Sequence, residues 1–255
     1  MRVLVATAVL VERDAVAAAF APSAAREYAI PGATLSRVAP PQGGPLVLDL
    51  LAAGVGPAAA AAATAAALTA AALGEHPDEP ADTQTSGPYD LVVSAGIGGG
   101  FQPGAPVGSL VLADEITAAD LGAETADGFV PVTELGFGAV THHPPESLVR
   151  AVAAVTGART GAVLTVNTVT GSADRAAELR RRHPRALAEA MEGFGVAEAA
   201  TAHGVPVLEL RAVSNPVGPR DRAAWRIGDA LAALTGAFGK LAPALESWNP
   251  HDRTQ

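Results

Sequence analysis

Short, unbroken apolar runs recur along this chain, and most of them stop at glycine or asparagine before the sequence turns helical. Residues 3–9 (VLVATAV), 46–53 (LVLDLLAA), 90–95 (DLVVSA), 161–168 (GAVLTVNT) and 205–213 (VPVLELRAV) have the length of strands. They lack the strict polar alternation of a sheet with one wet face, so each needs cover on both sides. The stretches 12–21, 57–73, 146–156, 173–182, 186–203 and 221–242 read as the helices that supply it. Residues 107–117 (VGSLVLADEIT) form another strand close behind 90–95 with no helix between, which makes the sheet mixed. The expectation is a single-domain three-layer α/β/α fold over residues 1–246 with a mixed, twisted central sheet. The polar, proline-rich 75–88 segment is expected to be a mobile surface loop, and 247–255 a frayed tail. In such sheets ligands sit beyond the carboxyl ends of strands, so residues that end strands carry the functional weight.

Composition narrows the chemistry. The 255 residues contain no cysteine and one lysine, Lys240. A disulfide framework, a thiolate nucleophile and a cysteine zinc site are excluded, and a Schiff base or phosphate-loop lysine would rest on that single residue. With 17 basic against 26 acidic side chains the net charge is −9, which disfavours a general nucleic-acid partner. The N-terminal apolar run breaks at Glu12-Arg13-Asp14 with no cleavage pattern, as a first buried strand does and a signal peptide does not. The alanine-rich 57–73 run is a weak membrane anchor and reads as a buried helix. A cytoplasmic protein without a membrane partner is expected.

Several local patterns compete for the site. Gly54-Val55-Gly56 imitates part of a dinucleotide fingerprint, but Asp90 begins the next strand where an acid should end it, and tight strand-to-helix packing explains the turn as well. Ser94-Ala95-Gly96-Ile97-Gly98-Gly99-Gly100 runs into Phe-Gln-Pro-Gly, so it is no phosphate cradle. It is either a close backbone approach or a turn between strands. His142 and His143 are adjacent and cannot both face one metal from a regular element, so no metal site is expected. Arg180-Arg181-Arg182 reads as a helix end whose cations complement the dipole. Glu12 just past the first strand, Glu192 among small apolar residues, and Asn215 before Pro216 each have a plain structural explanation when taken singly.

Together these pieces resemble a known family. The first strand leading to Glu12, the Gly54-Val55-Gly56 turn, YDLVVSAGIGGGFQPGAPVGSLVLADE (89–115), the turn at 167–171, ALAEAMEGFGVAEAA (186–200) and LELRAVSN (208–215) are similar to the nucleoside phosphorylase and nucleosidase superfamily. The nearest branch is that of the methylthioadenosine/S-adenosylhomocysteine nucleosidases. Within the superfamily, SNPVGPRD followed by Trp225 resembles the nucleosidases that take hypoxanthine off futalosine in a menaquinone pathway. The resemblance implies a nucleoside phosphorylase-like fold, a small-molecule nucleoside substrate, no cofactor, and a homo-oligomer, dimeric or larger, whose neighbouring subunit closes the pocket. By position it makes Glu12 the acid that holds and activates water and Glu192 the group that chelates the ribose hydroxyls, with Met191 beside the sugar. Thr168 and Val169 match the turn that reads the purine edge, and Gly96 and Ile97 the strand end near sugar and base. Ser214 joins the substrate-binding set beside Asn215. Asn215 stands where adenine-specific members carry an aspartate that protonates N7.

That difference has a physical reading. Hypoxanthine presents two acceptors, O6 and N7; an ionised aspartate would oppose both, whereas an asparagine NH₂ donates. The expected activity is therefore hydrolysis of the N-ribosidic bond of a 6-oxopurine nucleoside, futalosine above all. Glu12 and Asn215 are the catalytic candidates. Phosphorolysis is the rival, and no arginine in the sequence adjoins the strand-end glycines at 94–100 or the 54–56 turn to hold phosphate. A non-catalytic purine-nucleoside-binding protein is the second alternative. Futalosine also carries a benzoate carboxylate, for which Arg220 is a candidate.

Overall fold

The computed structural model describes residues 1–21, 25–41, 43–74 and 87–248. In chain order the elements are β1 (Arg2–Thr7), α1 (Leu10–Ala18), β2 (Arg26–Ile30), β3 (Ala33–Val38), β4 (Val47–Ala52), α2 (Pro57–Leu73), β5 (Leu91–Gly100) and β6 (Leu110–Ala118). A small hairpin, β7 (Gly122–Thr125) and β8 (Gly128–Pro131), and the short β9 (Thr141–His142) follow. The remainder is α3 (Glu146–Thr156), β10 (Arg159–Thr165), α4 (Ala173–Arg182), β11 (Ala186–Ala190), α5 (Gly193–Ala202), β12 (Val207–Pro216), a 3-10 turn at Arg222–Ala224 and α6 (Ile227–Ser247).

The main sheet runs β11-β10-β6-β12-β5-β1-β4-β3-β2, with β9 added on β6. It is mixed, as the sequence predicts: β1 is parallel to β4 and β5, and β12 is parallel to β5 but antiparallel to β6. Two apolar layers cover it. One holds α2 and α5, with Ala60, Ala67 and Ala71 against Val196, Ala197 and Ala200. The other holds α1, α3 and α6, with Val16, Leu148, Val152, Leu234 and Phe238. Among the described residues no helix is long and apolar enough to cross a membrane, the alanine-rich α2 included.

One flank of the sheet curls shut. β11 pairs with β10 on one side and, antiparallel, with the last two glycines of β5 on the other, Glu189 opposite Gly99 and Ala188 opposite Gly100. A β-carbon at Gly98 would lie 2.9 Å from the Glu189 carbonyl oxygen, and one at Gly100 would collide with the Ala105 carbonyl. The glycine cluster is thus the end of a strand where two backbones meet, and not a turn between adjacent strands.

Two expectations are corrected, and one hairpin is added. Residues 186–203 are a strand followed by a helix, because pairing of ALAEA with β10 and β5 outweighs the helix propensity of alanine. The hairpin at residues 26–38 forms strands that the sequence reading did not place, turning at Pro31-Gly32. The last helix begins at Ile227, after the 3-10 turn, and continues through Ser247; Trp248 then donates its indole N–H to Ser147 Oγ at 3.3 Å. Of the loop and tail expectations, residues 75–86 and 249–255 lie outside the described residues.

β4 carries a wholly buried carboxylate, Asp49, in the middle of an apolar strand. Arg2 donates to it through Nε at 3.0 Å and Nη2 at 2.8 Å, Arg37 through Nε at 2.7 Å, and the Tyr89 hydroxyl at 2.8 Å. Burial alone would raise the Asp49 pKa, but the hydrogen bonds and charges of Arg37 and Arg2 overcome it and bring it down to about 2. A depressed carboxylate contributes stability that is present above its unfolded value of 3.8 and is lost as pH falls through the folded value. Replacing Asp49 with Asn should cost about 3 kcal/mol near neutral pH, since two guanidinium groups are left facing a neutral amide. Urea unfolding of both proteins checks this, and the gap between them should narrow as pH is lowered from 4 toward 2.

Candidate active site

Residues that end or follow β1, β4, β5, β10, β11 and β12 line one cavity of about 590 Å³. Its floor is ionic. Glu12 sits in the first turn of α1 and is almost wholly buried. The Ile97 N–H donates to its Oε1 at 2.9 Å, and the Ala8 and Val9 N–H groups donate to Oε2 at 3.0 and 3.3 Å. It is therefore an acid at a helix start that also lines the cavity. Burial raises its pKa; the Ile97 N–H and the Arg211 charge oppose that rise, and the charge of Glu192 adds to it.

Glu192 caps α5 at its junction with β11. It accepts from the Gly56 N–H at 3.3 Å through Oε1, and its Oε2 lies 3.3 Å from Arg211 Nη1. Gly56 has φ +91°, a left-handed conformation open to glycine, and this aims its N–H at the carboxylate. The Gly54-Val55-Gly56 turn thus serves a side chain.

Arg211 joins these parts. It is wholly buried on β12, with Nε donating to Glu209 Oε1 and Nη2 to Ser94 Oγ, both at 2.9 Å. Its Nη1 has no hydrogen-bond partner among the described residues. Burial would lower the Arg211 pKa, but Glu209, Glu192 and Glu12 hold it above its ordinary value. Burial also raises the pKa of Glu209, against the opposing charge of Arg211. Gly96 makes room for this group: a β-carbon there would stand 2.7 Å from Glu12 Oε1 and 2.8 Å from Arg211 Nη1.

Another part of the lining is built around the end of β12. The paired register of β12 with β5 shifts between Val213 and Asn215, a bulge that re-aims the end of the strand. Asn215 Nδ2 donates to the Pro216 carbonyl at 3.0 Å, and its Oδ1 accepts from Ser214 Oγ at 2.8 Å. A carbonyl only accepts, so this pair fixes which end of the amide is NH₂ and commits one of its two N–H groups, in a residue that lines the cavity. Beside it Val169 and Thr170 line the wall. Buried Glu189 accepts from the Thr170 N–H at 2.8 Å and from its hydroxyl, spending both oxygens on that turn. Val217, Arg220, Arg222 and Trp225 form the rim.

Of the residues singled out from sequence, Glu12, Ile97, Val169, Met191, Glu192, Ser214 and Asn215 line this cavity. Gly96 lies behind Glu12, and Thr168 is exposed and outside the lining, its place taken by Thr170. The sequence reading did not find Arg211, Glu209, Ser94, Glu189 or Thr170. Its statement that no arginine adjoins the strand-end glycines is corrected by Arg211, brought there from β12. A signal was present: Glu209 and Arg211 are two apart in an apolar strand, hence on one face and in need of each other. Among the described residues no group of three or more His, Cys, Asp or Glu side chains could hold a metal ion. His142 instead meets Glu198 at 2.6 Å.

Residues 23–244 match the phosphorylase superfamily. The chain is 73% identical over 253 residues to a futalosine hydrolase of Streptomyces coelicolor, covering 99% of this chain and 100% of that one. It is 48% identical over 166 residues to a futalosine hydrolase of Acidothermus cellulolyticus, covering 61% and 66% respectively. In fold it is similar to the methylthioadenosine/S-adenosylhomocysteine nucleosidase of S. pneumoniae with a transition-state inhibitor, with TM-score 0.76, 19% identity, and 96% and 100% of the two chains covered. The futalosine hydrolase of Helicobacter pylori superposes with TM-score 0.75 at 16% identity over 95% and 97%.

Removing the central cation tests the floor. Arg211→Met should destabilise the fold by about 3 kcal/mol or more, because buried carboxylates lose their counterion. Adding Glu209→Gln should recover part of the loss, and denaturant titration of single and double variants reads the difference.

Proposed function

The chain belongs to the phosphorylase superfamily and, within it, to the futalosine hydrolases, and we propose a division of labour among its residues for breaking the N-ribosidic bond of futalosine. The products are hypoxanthine and dehypoxanthine futalosine, on the way to menaquinone. The observation that carries the proposal is a cavity lined by two carboxylates, Glu12 and Glu192, above one buried guanidinium, with the Asn215 amide in the same lining.

Cleavage builds positive charge on the ribose and negative charge on the departing purine. Glu12 takes the proton of the attacking water. Backbone donors hold both its oxygens in place, and its raised pKa makes it a stronger base than an exposed glutamate. Arg211, buried beneath the cavity lining, keeps Glu192 in place through the ion pair from its Nη1. Glu192 accepts from the ribose hydroxyls, with Met191 against the sugar. Asn215 donates to the O6/N7 edge, oriented by Ser214, while the Val169–Thr170 turn, anchored by Glu189, meets the rest of the base. No group on this wall is an obvious general acid, so the purine departs as a hydrogen-bonded anion that takes its proton from solvent, and Glu12 returns to solvent the proton it took from water.

Phosphate finds poor accommodation on the same floor. The arginine there is already engaged by Glu209 and Glu192, and ionised Glu12 would repel a dianion. The proposal extends to a homo-oligomer in the cytoplasm: Val9, Leu10, Val11 and Val55 are exposed apolar side chains at or next to the cavity, a surface a second subunit would cover.

Hypoxanthine release from futalosine should proceed at the same rate with and without inorganic phosphate; dependence on phosphate would identify a phosphorylase instead. Glu12→Gln should lower kcat by about a hundredfold or more while futalosine still binds. For the wild type, kcat/KM should rise with pH through a value above the ordinary glutamate 4.5, because Glu12 must be ionised to act. Asn215→Asp should lower kcat/KM for futalosine about tenfold, since an ionised carboxylate opposes both purine acceptors. Steady-state assays of free hypoxanthine read the rates in all four cases, and equilibrium titration with futalosine reads binding to the Glu12→Gln variant.

A further inference from the structure

Cleaving an N-ribosidic bond accounts for the acidic floor and the amide wall of the cavity but not for its basic rim. Arg220 and Arg222 both line the cavity and flank Trp225, with their guanidinium carbons 5.4 and 5.8 Å from the centre of its ring. The stem of Arg220 rests over Gly171, next to the purine-facing turn. Neither guanidinium has an ion-pair partner among the described residues, whereas the neighbouring Arg226 is paired with Asp229. Asp221, between the two in sequence, spends Oδ1 on the Ala223 N–H and so holds the 3-10 turn that presents both arginines. In a chain of net charge −9, two such cations beside an indole are placed to receive something from solution.

We infer that Arg220, Arg222 and Trp225 form a subsite for an aromatic carboxylate carried at the far end of the nucleoside, which for futalosine is its benzoate. This rests on the hydrolase reading above and goes beyond it by naming the group recognised and the residues that recognise it. The indole packs on the flat aryl ring, and the guanidinium forks donate to the carboxylate. The cavity is thereby polarised, with anionic groups where the sugar becomes cationic and cationic groups where the ligand is anionic. That arrangement selects nucleosides by their tail, because a nucleoside with a neutral tail leaves the rim cations unmatched.

The test compares futalosine with its methyl ester, which keeps the ring and removes only the charge. The wild-type protein should favour the acid over the ester by about tenfold in kcat/KM, with the difference in KM rather than kcat, and added salt should erode it. In the double variant Arg220→Gln, Arg222→Gln the preference should fall toward unity, and the Arg220→Lys, Arg222→Lys variant should keep part of it. Circular dichroism confirms that the exposed substitutions leave the fold intact. A double glutamine variant that keeps the full preference for the acid would overturn the subsite while leaving the hydrolase reading in place. If the wild type released no hypoxanthine from futalosine, both would fall together. Phosphate-stimulated release that vanishes in the glutamine variant would show that the arginines hold phosphate, and would also overturn the subsite.

Discussion

A guanidinium taken wholly out of water is tolerated only where carboxylates and hydroxyls surround it, and Arg211 imposes that condition on the whole floor of the cavity. Glu209 on its own strand, Ser94 on the next, Glu192 from the β11–α5 junction and Glu12 from α1 are drawn to one point by a single charge. The glycines around them follow from the same crowding. Gly193 admits no β-carbon because the Glu209 carboxylate occupies that space, and Gly96 admits none because Glu12 and Arg211 do. The residues that look catalytic and the residues that look structural are parts of one ionic cluster.

That cluster has too few cations for its acids. Glu12, Glu192 and Glu209 surround one arginine, and burial pushes Glu12 and Glu209 toward the neutral form. Such a site is under-neutralised in the free protein, and the charge that best completes it is positive, diffuse and located above the floor. In the proposed reaction an oxocarbenium ribose supplies such a charge, which makes the interaction stronger in the transition state than in the ground state. The guanidinium keeps the carboxylates ionisable, and the surplus of carboxylates makes the site selective for developing positive charge.

Much of the fold was legible because buried parallel strands leave a simple trace: five of the apolar runs coincide with β1, β4, β5, β10 and β12. The misses have physical causes. ALAEA at residues 186–190 has the composition of a helix and becomes a strand only because β5 ends in glycines that let its backbone approach, a long-range pairing no local window contains. The hairpin at residues 26–38 sits at the sheet edge, where exposed Arg26 and Glu27 disguise the strand pattern. Of the residues that line the cavity, Glu12 and Asn215 stood out at the ends of expected strands, and Glu192 as a carboxylate among small apolar residues of an expected helix. Arg211 was missed because it lies inside a strand, where a charge is ordinarily a sign of exposure. Thr170 was displaced from Thr168 by a turn whose register depends on Glu189, nineteen residues on.

On the proposed division of labour, the asparagine that meets the purine and the acid-rich floor are connected. With an aspartate at position 215 a proton could pass to N7, and departure of the base would share the work of bond breaking. Asn215 transfers no proton, and its amide is held by Ser214 and the Pro216 carbonyl so that only one N–H is offered. A hydrogen bond to an acceptor gains strength as negative charge accumulates there, but by less than full protonation would give. More of the barrier must then be lowered at the sugar, by water activation and by anionic groups close to the ribose. A buried glutamate held by three backbone N–H groups, with a second beside an arginine, is the arrangement that such a division demands. Exchange of one side chain at the base therefore shifts the electrostatic burden onto the ionic cluster at the floor of the cavity.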